Sequence, residues 1–330
     1  MYIRKSTYNG VESVEFSAGG YSSIMIPSMG ANVVSLKNTD KGIDILHSPR
    51  KEDMETFFSR PQIFGIPVLF PPNRIADGIY SWNGKTYHYP ITIQNQNCYH
   101  HGILKSLPFT VTRTEINKDS VEVEAAFFSN MINDGIYQNF PHLFQCRINV
   151  MLSSEGLSHT ITFINDGEDE MPLGVGFHTP INIPFEKGKG EYKMWLSAGE
   201  EWELNERTLP TEKLLAISGE FTKLRGDGMN PVGEAIEKGF TNKPIFMNGK
   251  EYNGAIFQNT KTGNAVFYET DDCFGHWTVW NNGGDKGYMC AEPQTWAINA
   301  PNLSLDADIT GFRVLEGGDA WSATTKLYVK

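Results

Sequence analysis

FQCRINVMLSSEGLSHTITFIN, residues 144–165, alternates with period two on either side of a short turn. Phe144, Cys146, Ile148, Val150 and Leu152 fall on one face, then Leu157, His159, Ile161 and Phe163 repeat the pattern after Ser-Ser-Glu-Gly. Successive strand side chains point to opposite faces, so the stretch predicts an antiparallel hairpin with one buried side. A helix would need apolar residues three and four apart.

The same signal recurs outward from this hairpin. IYSWNGKTYHYP (79–90) carries Asn83-Gly84 between aromatic arms, and that pair suits a type I′ turn, whose two central residues need positive φ. SSIMIPS, NVVSLKN, SVEVEAAFFS, YKMWLSA, AVFYET, HWTVWNN and KLYVK read as further strands, separated by clusters of Gly, Asn, Asp and Pro. Helical signals are short: SPRKEDMETFFSR (48–60) opens with Ser-Pro and acidic residues, and TEKLLAIS (211–218) is a second candidate. The expectation is an all-β fold, a large antiparallel β-sandwich with few short helices. With no linker or repeat in sight, residues 1–330 are expected to form a single domain.

Composition narrows function. A formal net charge of −11 argues against a groove that tracks nucleic-acid phosphates, which needs clustered Lys and Arg. No run of eighteen apolar residues and no apolar leader segment is present, so neither a membrane span nor a signal peptide is expected, and the cytoplasm is the default location. The four cysteines have no metal or redox spacing and are expected to be buried free thiols.

Several apolar runs end in a polar residue. In FGIPVLFPPNRIADG (64–78) the run leads into Asn73 and Arg74. Arg is hard to bury unpaired, so Arg74 is either a surface residue after a strand or a donor to an oxygen-rich ligand. In YHHGILKSLPF (99–109) His100 and His101 cannot line one site in an extended chain unless a turn intervenes. Gly102 permits close backbone approach and makes His101 the better ligand-facing candidate. LGVGFHTPINIPF (173–185) delivers His178, either a satisfied core histidine or a proton carrier. YMCAEPQTW (288–296) sets Glu292 among apolar residues before Pro293, which biases it to extended geometry. Two histidines and a glutamate, each at a strand end, form an acid–base set.

Together PPNRIADGIYSWNGKTYHYP, HHGILKSLPF, GFHTPINIPF and CAEPQTWAINAPN, in this order, resemble the aldose 1-epimerase family, the galactose mutarotase-like proteins. The resemblance implies a β-supersandwich, a carbohydrate site on a concave sheet face, a small-molecule sugar substrate, and neither metal nor cofactor. It implies Glu292 as general base, His178 as general acid, and Asn73, Arg74 and His101 as sugar contacts. Trp277 or Trp280 would stack on the sugar. Departures accompany it. KGFTNKPIF (238–246) holds no Asp where many members carry one, and Thr278 stands where some carry Gln. The expected activity is interconversion of the α and β anomers of a free hexose. A hexose 6-phosphate read by Lys105 or Arg60, and a silent sugar-binding protein, are the alternatives.

Overall fold

The computed structural model describes residues 1–131, 138–188, 190–247 and 249–330. About 50% of the chain is strand and 11% helix, as the period-two runs predict. The strands Phe144–Ser153 and Gly156–Asn165 pair antiparallel from Phe144 opposite Asn165 to Ser153 opposite Gly156, and burial alternates along both. They lie within an eight-stranded sheet ordered Thr110–Ile116, Ser120–Phe128, Phe144–Ser153, Gly156–Asn165, Ala320–Val329, Ala265–Thr270, Gly254–Asn259, Tyr192–Leu196. The chain's last strand is thus central, held between two strands from distant parts of the sequence.

A second eight-stranded sheet carries, in order, Pro210–Leu215, Ala198–Leu204, Glu237–Asn242, His276–Trp280, Tyr288–Gln294, Gly176–Phe177 and Val68–Leu69, with Thr179–Asn182 also paired to Tyr288–Gln294. The first forty-odd residues add a five-stranded meander from Tyr2–Tyr8 to Ile43–Asp44. The two large sheets bury a shared core: Ile148, Ile161 and Phe257 from one, Val279, Met289 and Ala291 from the other. Alternation then aims Thr278, Trp280 and Glu292 at the opposite face of the second sheet.

Phe163, fully buried, packs against Phe70 at 4.6 Å between ring centroids. This contact ties the central hairpin to the segment that leads into Asn73 and Arg74, so core packing supports the site directly. Asn83 and Gly84 both take positive φ, 45° and 74°, and close the Ile79–Trp82/Lys85–His88 hairpin. The SPRKEDMETFFSR segment forms a 3-10 turn, Lys51–Asp53, and the helix Met54–Ser59.

TEKLLAIS is not a helix. Its first part belongs to the strand Pro210–Leu215, paired with Ala198–Leu204. Leu214 packs against a cluster of Trp202 and Trp296, and Glu212 has φ 65°, which a helix excludes. A tertiary surface decided between two states that a short apolar run leaves open. Cys98, Cys146 and Cys290 are buried free thiols, and Cys273 is half-buried. No helix among the described residues is long and apolar enough to cross a membrane.

Candidate active site

Three adjacent strands build the floor of a cleft of about 440 Å³. Strand register sets Gly239 opposite Thr278 and Thr278 opposite Glu292. On the far side of Glu292, Thr179 pairs with Ala291, which brings His178 alongside the carboxylate. His178 Nε2 lies 3.2 Å from Glu292 Oε1, and both residues are almost fully buried. Pairwise distance alone would make this an ion pair, but burial acts the other way on each partner. Loss of water holds the His178 imidazolium down to about 3, and raises the Glu292 carboxyl well above its usual range, with Glu237 adding to that rise. Arg74 and the Gln294 amide oppose it. Burial thus weights both groups toward their neutral forms, the imidazole and the carboxyl.

Glu292 is held from behind. The Gln294 amide donates to Glu292 Oε2 at 3.3 Å and lies 3.1 Å from the Thr278 hydroxyl oxygen, which also accepts from Asn73 Nδ2 at 3.0 Å. Asn73 accepts from Arg74 Nη1 at 3.2 Å through its own side-chain oxygen. Arg74 Nε donates to Gln96 and Nη2 donates to Glu237, each at 2.7 Å. A nearly buried guanidinium is thereby paired and aimed, as a charge in that position must be.

The short strands Arg74–Ala76 and Cys98–His100 pair so that Arg74 faces His100. The ribbon then turns at His101, φ 64°, and Gly102, φ 72°. A Cβ on Gly102 would fall 2.4 Å from the Phe70 backbone, so that close approach needs glycine. The turn lets both adjacent histidines line the cleft. His101 meets His178 edge to face at 5.0 Å, and burial holds both His100 and His101 well below the ordinary imidazole range. Among the described residues, Nδ1 of His101 and Nδ1 of His178 are buried with no hydrogen-bond partner. Buried polar atoms are rarely left so, and in a cleft such atoms point to a ligand.

Of the predicted site residues, Asn73, Arg74, His101, His178, Trp280 and Glu292 line one cleft. Trp277 does not. It is buried in the core with its indole N–H directed to Ser197 and Asn242, at 3.1 and 2.9 Å. The cause is period two: Trp277 and Trp280 are three apart on one strand and must face opposite ways. Trp280 packs on His178 at 5.5 Å and walls the cleft. Sequence reading missed Glu237, one residue before the segment searched for an acid. It also missed that folding brings His101, His178 and Glu292 together, with one potential ligand atom of each within 4.8 Å of the others. These three could hold a metal ion, although their spacing in the sequence carries no metal signature.

The antiparallel β-sandwich is that of the galactose mutarotase-like proteins, and the chain belongs to the aldose 1-epimerase family, whose sequence model matches residues 12–328. It is similar to the crystal structure of a galactose mutarotase-like protein from Clostridium acetobutylicum, with 38% identity, a TM-score of 0.97, and coverage of 100% of this chain and 98% of that one. A galactose 1-epimerase from Lactobacillus acidophilus shares the fold at 14% identity and TM-score 0.72, covering 100% and 98% of the two chains. The Escherichia coli K12 protein named YihR is 26% identical over 202 residues, 61% of this chain. That match spans 59% of the length of YihR.

Proposed function

We propose that the protein is an aldose 1-epimerase, interconverting the α and β anomers of a hexose by opening and reclosing its ring. The observation that carries this reading is the buried Glu292–His178 pair, 3.2 Å apart on the floor of a cleft of about 440 Å³. Ring opening removes the proton of the anomeric hydroxyl, protonates the ring oxygen and breaks the bond between that oxygen and C1. Rotation about C1–C2 and the reverse transfers then close the other anomer. One base and one acid must therefore flank the same sugar.

A pair holding a single proton supplies both. With that proton on His178, Glu292 accepts from the anomeric hydroxyl and His178 donates to the ring oxygen; on closure each residue returns to its starting state. Burial favours the proton on Glu292 before substrate arrives, and Arg74 together with the sugar's own hydroxyls stabilises the charge-separated form afterwards. Asn73, Arg74 and His101 hold hydroxyls, and Trp280 covers an apolar face of the ring.

Polarimetry of freshly dissolved α-hexoses tests this. Glu292→Gln and His178→Asn should each lower kcat by about 10² to 10⁴, the usual contribution of a positioned acid or base. The double variant should lose far less than the product of the two, because the groups act in one event. Wild-type rates in either single variant would reduce the pair to a structural contact, and a wild-type protein that binds sugar without accelerating mutarotation would make it a silent carbohydrate-binding protein.

A further inference from the structure

The cleft has the wrong charge for this chain. The protein carries 39 acidic and 28 basic residues, yet Arg60, Arg74 and Lys105 all line the cleft, against Glu237 and the proton-sharing Glu292. Arg74 is neutralised by Glu237 at 2.7 Å. Arg60 and Lys105 have no such partner: neither forms an ion pair with any described residue. Among the described residues the Lys105 ammonium donates only to the Gly102 carbonyl, at 2.6 Å. Burial without a counter-charge holds it down to about 8.

Their convergence is a product of the fold. Arg60 ends the helix Met54–Ser59 and precedes the 3-10 turn Pro61–Ile63, which packs against the turn Leu104–Ser106 that bears Lys105. Segments about forty residues apart thus bring two cations, neither in an ion pair with a described residue, to the lining of one cleft. Exposed cations are ordinary, and Arg60 alone would signify nothing. A half-buried lysine that faces a cleft and pairs with no carboxylate among the described residues is different, because its desolvation is uncompensated until an anion arrives.

We propose that Arg60 and Lys105 form an anion-binding subsite, and that the aldose taken by this cleft carries a negatively charged substituent, a phosphate or a carboxylate. The identity of the ligand as an aldose rests on the epimerase reading; the subsite itself does not. Because the anomeric hydroxyl must be free to lose its proton, the charged group sits on a carbon other than C1. The free hexose expected from sequence would leave both cations unanswered.

The test measures kcat/KM for anomer interconversion with glucose, glucose 6-phosphate and glucuronate, at low and high salt. At least one charged sugar should exceed glucose by about tenfold or more, since hydrogen bonds to charged groups contribute about ten- to a hundredfold each. High salt should narrow the gap. Lys105→Gln and Arg60→Gln should each lower the charged-to-neutral ratio about tenfold, and the better of the two charged sugars identifies the group. Arg60 is exposed, so its variant tests the subsite even where Lys105→Gln fails to fold. A preference for glucose, with a ratio untouched by these substitutions, overturns the subsite and leaves the epimerase standing. If no sugar is turned over, calorimetry decides: glucose 6-phosphate or glucuronate bound by wild type and weakened by Arg60→Gln upholds the subsite while the epimerase falls, and no binding of either overturns both.

Discussion

At Glu292 and His178 one cause, loss of water, moves two protonation equilibria in opposite directions, and this has a kinetic signature. The pair gains a second proton only when His178 titrates, at about 3, and loses its last only when Glu292 titrates, well above the usual carboxylate range. With a neutral aldose, kcat/KM should therefore not fall as pH drops from about 7 to about 5, since that parameter reports the free enzyme's groups. A fall on the acid side with its midpoint near pH 6.5 would mean a freely titrating imidazole. The two residues proposed as acid and base were legible in the sequence because each ends an apolar run with a polar side chain. Glu237 was not, because its role is visible only beside Arg74, 163 positions away. His100 escaped for a related reason: the left-handed turn at His101 that admits both histidines has no strong mark beyond Gly102.

Strand alternation decides what each tryptophan of His276–Trp280 does. Trp280→Ala should raise KM several-fold with little loss of stability, since it walls the cleft. Trp277→Phe should leave KM near wild type and cost about 1 to 3 kcal/mol in chemical denaturation, because it strips Ser197 and Asn242 of a buried donor. The reverse pattern would place the wrong tryptophan on the sugar. Phe163→Ala, which removes the ring packed on Phe70, should cost about 3 to 5 kcal/mol. Most strands were legible because period two over six or more residues admits no other reading, and the type I′ turn at Asn83-Gly84 because few residues tolerate its geometry. TEKLLAIS was not, since a short apolar run fits either helix or strand until the Trp202–Trp296 cluster claims Leu214.

Over the whole molecule, burial pushes seven histidines, His47, His100, His101, His142, His159, His178 and His276, below their ordinary value. Each binds its proton more readily unfolded than folded, so as pH falls below about 6.5 the unfolded chain is favoured. For His142, His159 or His276, each held near 4, the loss at low pH is on the order of 3 kcal/mol. Glu292, raised instead, works against this trend but is one group. Urea midpoints should fall steadily from about pH 6.5 to pH 4; a flat profile would contradict the buried neutral histidines. The main core runs from Val14 to Leu327, and we propose that residues 1–330 unfold as one unit, with a single calorimetric transition at neutral pH. The central claim is that the protein's own acid and base, at His178 and Glu292, exchange protons with the anomeric centre. Its most direct test is magnetisation exchange between the α and β anomeric signals of neutral and charged aldoses, measured on wild-type protein after exhaustive dialysis against a chelator. The account predicts exchange well above the buffer rate for at least one aldose, lost in Glu292→Gln. Exchange at the buffer rate, or acceleration that returns only when a divalent ion is restored to His101, His178 and Glu292, would contradict it.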